Sequence, residues 1–274
     1  MLGKLIKHDM QSMFRGVSNI YVAAMIAVAA MGICLFADVG VGKTISSLAL
    51  MAVSIAAIIV TIMATLGDFK KTMFGDRGYL THTLPVKGPS LLLAKWLTSM
   101  FWITVSYAVV FLCLWLIYYY WTGESSSAAL TYILQSLPDV GLPTQDILVK
   151  TIILIAIKGL LLLSVFVLEV FFVLTLANVR PFDAAGGVGP VLYFFVVFGL
   201  VTICSSRLED VFKSALLIHA DGSISLSADI ATINSIQAAG GASVTLTQIY
   251  FQVVVAILLF IVTAELLDKK VNIK

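Results

Sequence analysis

Three parts of this sequence have residue types and spacings that could do chemistry. The first runs A-D-V-G-V-G-K-T from Ala37 to Thr44, one residue short of the phosphate-cradling pattern G-x-x-x-x-G-K-[ST]. Such a loop wraps backbone N–H groups around nucleotide phosphates and reaches them with its lysine. The second is a pair of charges, Lys158 and Glu169, inside an otherwise apolar run. At membrane depth, such groups serve as ion-pair partners, relays or interface contacts. The third is "DFKKTMFGDRGYLTHTLPVKGPSLLLAK", residues 68–95, whose mixture of charges and apolar groups suits docking. No cluster of His, Cys or carboxylates has metal-ligand spacing. Cys34, Cys113 and Cys204 all fall in apolar runs, which indicates small buried side chains and no disulfide framework.

Which of these chemistries is available depends on the elements that position the residues. The 274 residues are 60% hydrophobic and 12% charged, against about 25% charged in soluble domains. Residues 16–37, 44–67, 96–123, 184–206 and 244–264 contain no Asp, Glu, Lys or Arg, and residues 151–179 carry only Lys158 and Glu169. A hydrocarbon core of about 30 Å needs roughly 20 helical residues, and all six runs reach that length. The expected fold class is an all-α integral membrane protein with six transmembrane helices. Alternating strands of about ten residues, the mark of a membrane β-barrel, are absent from the pattern. A first run this long also exceeds the apolar region of a secretory signal.

The remaining charges indicate orientation. Lys4, Lys7, Arg15, Lys70, Lys71, Arg77, Lys87, Lys95, Arg180, Lys269, Lys270 and Lys274 lie on one side of the predicted spans. The opposite connections hold Lys43, Lys150, Arg207 and Lys213, with most of the carboxylates. Lys and Arg mark the cytoplasmic side, so both termini are expected inside. Tyr118 to Trp121 then form an outer aromatic belt. This places Lys43 outside, in a short turn between two spans, away from cytoplasmic ATP. The motif also has Ala37 where its first glycine belongs, and no buried strand precedes it. The expectation is a chain that is not itself an enzyme and binds no cofactor or metal.

The expected organisation is an amphipathic interfacial helix over residues 1–15, then spans over 16–37 and 44–67, and a cytoplasmic connection over 68–95. Spans follow at 96–121, 151–179, 184–206 and 244–264, with outer loops at 122–150 and 207–243 and an inner tail at 265–274. In the first helix, Leu2, Leu5, Ile6, Met10, Met13, Phe14 and Val17 form the apolar face; Lys4, Lys7, His8, Asp9, Gln11 and Arg15 take the other.

The 68–95 connection is much longer than neighbouring helices require. Its segment "GDRGYLTHTLPVKGPSLLLAKWL" resembles the stretch between the second and third spans of type-2 ABC exporter permeases of Gram-positive bacteria. An Arg/Gly/Tyr/Leu element there precedes Leu-Pro and a Leu-rich span entry with a lysine. The second half of the chain matches in layout alone. That family's outer re-entrant helices have no evident counterpart in residues 207–243, which Asp221, Ser223, Ser225, Ser227 and Asp229 make polar.

The resemblance implies a plasma-membrane permease subunit, paired with a second permease chain as homo- or heterodimer and with separate ABC ATPase subunits that hold ATP and magnesium. The substrate class it implies is an antimicrobial peptide, lipid or ion; no nucleic acid is involved. Carried onto this sequence, the ATPase-coupling residues are Phe74, Gly75, Asp76, Arg77, Gly78, Tyr79 and Leu80, with Leu84 and Pro85 shaping the return. Arg77 would pair with an acidic group and Tyr79 would anchor the contact. The alternative is a non-transporting scaffold or sensor that recruits a cytoplasmic partner through the same connection. An intramembrane enzyme is disfavoured, because the expected spans contain neither His nor Asp.

Lys158 and Glu169 are eleven residues apart, about 1,100° around a helix and about 16 Å along it, so they share a face without pairing. Lys158 suits either snorkelling to the surface or an interior role. Glu169 lies deeper and suits the bundle interior or a dimer interface.

Overall fold

The computed structural model describes residues 2–36, 40–75, 88–122, 145–179, 182, 188–219, 223–229, 232–233, 235–236 and 242–269. Among the described residues, six helices are long and apolar enough to cross a membrane, and the chain is a multi-pass membrane protein. They are α1 (Leu2–Phe36), α2 (Gly40–Met73), α3 (Gly88–Thr122), α4 (Gln145–Leu176), α5 (Gly189–Val211) and α6 (Leu246–Lys269). Three short strands lie, among the described residues, between α5 and α6: β1 (Ala215–Ile218), β2 (Ile224–Ser227) and β3 (Ala242–Thr245).

Two compact units divide the chain: residues 1–126, 174–184 and 263–274 form one, and residues 127–173 and 185–262 the other. In the first, α1, α2 and α3 pack on one another. Each is 34 or 35 residues long, hence about 52 Å, well beyond a hydrocarbon thickness of about 30 Å. The helices therefore continue past their apolar runs. No break separates residues 2–15 from 16–36, and α2 and α3 extend into the 68–95 connection as far as Met73 and from Gly88.

Hydrophobic burial cannot hold helices together against lipid, which is equally apolar; close packing and hydrogen bonds must. On α2 the buried residues Leu50, Ser54, Ala57, Thr61 and Thr65 recur at three- and four-residue steps. Ser54, Thr61 and Thr65 turn their hydroxyls back to the carbonyls of Leu50, Ala57 and Thr61, which satisfies them within the helix. Ser106 Oγ of α3 lies 2.6 Å from both Tyr21 Oη of α1 and Thr61 Oγ1 of α2, linking all three helices. Met13, Val17 and Trp102 form one apolar cluster and Met31, Leu50 and Cys113 another.

In the second unit the expected outer loop over 207–243 contains a sheet of order β2-β1-β3, antiparallel throughout. Its register pairs Leu216 with Leu226 and Val244, and Leu217 with Ser225 and Ser243. Alternation sends Ala215 and Leu217 to one face, where they pack with Ile233 and Ile236. Leu216 and Ile218 go to the other, against Leu154 of α4. Thr247, in the first turn of α6, donates to the Phe212 carbonyl and accepts from Ser214, whose Oγ is 2.9 Å away. That contact fixes both the entry to the sheet from α5 and the exit into α6.

Candidate functional site

Where α1, α2 and α3 rise past their apolar runs, three charged side chains meet. Lys95 Nζ on α3 lies 2.8 Å from Asp9 Oδ1 on α1 and 2.6 Å from Asp68 Oδ2 on α2. Ser12 Oγ donates to the second oxygen of Asp68 at 3.2 Å. The Lys95, Asp9 and Asp68 side chains are 4%, 6% and 14% exposed. Asp9 Oδ2 is buried without a hydrogen-bond partner. Two carboxylates thus face one ammonium, leaving an excess negative charge when both are ionised.

Sequence explains each position. Asp68 is the first charge after the uncharged stretch of α2, and Lys95 the last before that of α3. Asp9 continues the buried stripe of α1, four residues before Met13 and eight before Val17. Its expected place on the polar face of the first helix is corrected here, because Asp9 is buried toward α2 and α3 while His8 and Gln11 are exposed. The lysine makes that burial tolerable: an isolated buried carboxylate costs several kcal/mol, which a close, hydrogen-bonded ion pair offsets.

The cluster brackets the connection between α2 and α3. Asp68 lies six residues before Gly75's neighbour Phe74, and Lys95 seven residues after Gly88. A second clamp sits at Gly88, whose N–H donates to Asp268 Oδ1 of α6 at 2.8 Å. The carboxylate occupies the N-terminal end of α3, where unsatisfied N–H groups and the helix dipole favour negative charge. A β-carbon at residue 88 would overlap that carboxylate, so this close approach requires glycine.

Of the expected coupling residues, Phe74 and Gly75 form the exit turn of α2. Their N–H groups donate to the Lys70 carbonyl at 3.0 and 3.1 Å, and the Phe74 ring meets Phe69 edge-on at 5.9 Å. Asp76, Arg77, Gly78, Tyr79, Leu80, Leu84 and Pro85 lie outside the described residues. Lys158 is half-buried on α4, and Glu169 is 3% exposed between the buried Leu168 and Phe171. Glu169 belongs to the second unit and the Lys95 cluster to the first.

The A-D-V-G-V-G-K-T motif follows a helix, α1, and not a strand; its Gly40 to Thr44 portion is the first turn of α2. Thr44 Oγ1 donates back to the Val41 carbonyl at 2.9 Å, within that turn. Among the described residues, no group of three or more His, Cys, Asp or Glu is placed to hold a metal ion.

The sequence alone did not bring Asp9, Lys95 and Asp68 together, since Lys95 and Asp68 bound the 68–95 connection and Asp9 lies in the first helix. The available signal was the four-residue step from Asp9 through Met13 to Val17. Comparison with known proteins gave no match: no family model, no curated protein and no solved structure aligns with this chain.

Proposed function

We propose that this chain is the membrane-spanning permease subunit of an ABC-type exporter in a bacterial plasma membrane. Separate ATPase subunits would hydrolyse magnesium-ATP, and a second permease chain would complete the translocation path. The observation that supports this reading best is the buried Asp9–Lys95–Asp68 cluster. It joins both flanks of the 68–95 connection to α1, so a displacement of the connection is passed to three spanning helices together. A connection that served only to link two spans would need no such brace. The Lys and Arg asymmetry supports a cytoplasmic position for this end of the bundle, the side on which an ATPase would meet the 68–95 connection.

The test is purification of the tagged chain from its native membrane. An ATPase subunit and magnesium-dependent ATP hydrolysis are expected to co-purify, and Lys43→Ala should leave that hydrolysis unchanged, since the Lys43 motif is a helix start. Absence of any ATPase would favour the scaffold or sensor reading. Loss of hydrolysis in Lys43→Ala would return the phosphate-loop reading to contention.

A further inference from the structure

A groove of about 460 Å³ opens between α1 and α2, just outside the Lys95 cluster. Met13 and Gly16 of α1 and Gly67 of α2 make its apolar wall; Ser12, Asp68 and Lys71 make its polar end. The helices run close here, since a β-carbon at Gly16 would come 3.6 Å from that of Ala64. At Gly67, which lines the groove, a β-carbon would meet nothing within 4 Å, so the space beside it is open.

The height of the groove is set by the sequence. Gly16 begins the uncharged stretch of α1, and Gly67 ends that of α2, with Arg15 and Asp68 the adjoining charges. In a bilayer this is the boundary between acyl chains and headgroups. Lys71 is exposed and one turn beyond Gly67 on the same face. Helical side chains lean toward the helix N-terminus, so the Lys71 stem extends back over Gly67 and Asp68. A cation at the rim and a carboxylate inside it therefore sit at similar depth.

We propose that this groove binds the headgroup of a zwitterionic aminophospholipid. The ammonium group is drawn by the Asp68 carboxylate, which lines the groove and is 14% exposed. It donates to Asp68 Oδ1, which has a lone pair left after accepting from Ser12. The phosphate pairs with Lys71, and the upper acyl chain lies along Met13 and Gly67. A choline headgroup carries no N–H and loses the bond to Asp68. An anionic glycerol headgroup brings no cation and meets the carboxylate directly. The proposal requires only that α1 and α2 cross a bilayer, and is independent of any ATPase partner.

The full-length protein, extracted from vesicles of equal parts phosphatidylethanolamine, phosphatidylcholine and phosphatidylglycerol, provides the test by mass analysis of the lipids retained. Phosphatidylethanolamine should be enriched about tenfold over phosphatidylcholine, the difference expected of one charge-assisted hydrogen bond. Gly67→Leu puts an apolar side chain into the groove at a position where a β-carbon meets nothing within 4 Å, and Lys71→Glu reverses its rim; both should return the retained lipid to the vesicle ratio. Equal retention of the three lipids, preference for phosphatidylglycerol, or unchanged enrichment in Gly67→Leu would overturn the proposal.

Discussion

Lys95 carries two carboxylates in a nearly water-free position, which makes it the residue whose loss leaves the most unpaired charge. Lys95→Met keeps the length of the side chain and removes its charge. Breaking a buried ion pair from one side costs about 3–5 kcal/mol, so the variant should show a clearly lower melting temperature in detergent. Asp9→Asn should cost much less, because it removes the excess negative charge while leaving Asp68 on Lys95. Equal losses in the two variants would mean that the cluster is not governed by charge balance. Asp9 also shows why this site was hard to read from sequence. Flanked by His8 and Gln11 it has the look of a solvated face, and its burial depends on a lysine 86 positions away. The Gly88–Asp268 contact is equally non-local, since it joins residues 180 positions apart.

Among the elements, the spans were legible and their ends were not. Uninterrupted apolar runs announce a helix wherever lipid is the solvent, because every backbone group must be satisfied within the segment. Charges mark where lipid stops, but not where the helix stops. Thus the helix read as possible around Phe69 to Phe74 is the continuous end of α2, which reaches Met73, and Gly88 to Lys95, read as connection, begins α3. The sheet between α5 and α6 was missed for another reason. Ser223, Ser225 and Ser227 alternate with Ile224 and Leu226, which is the two-residue period of a strand, yet each strand has only four residues. Their serines read as polarity when they were period. The sheet also bears on topology. In a background without the native cysteines, a cysteine at Ser225 should react with an impermeant thiol reagent on intact cells, and one at Thr72 should react only after permeabilisation. Labelling in the reverse order would show that the Lys and Arg distribution does not set the orientation.

At the scale of the whole molecule, the proposed export would draw its work from outside the chain. The A-D-V-G-V-G-K-T motif begins a helix, and the buried charges of the first unit lock helices to one another. On the proposed permease reading, motion would be taken up at the 68–95 connection, which the Lys95 cluster and the Gly88–Asp268 contact flank. The apolar anchors there should lose more on truncation than the rim charges do, because anchors are desolvated in the contact. Tyr79→Ala combined with Leu80→Ala should leave the spans inserted, since the fold is held by contacts within the helices. The decisive measurement is substrate exported per ATP hydrolysed by the complete complex reconstituted in vesicles. The double variant is predicted to lower that ratio severalfold, through weaker ATPase binding or through hydrolysis without export. A ratio and a hydrolysis rate equal to those of the unmodified complex would contradict the assignment of residues 68–95 as the coupling element.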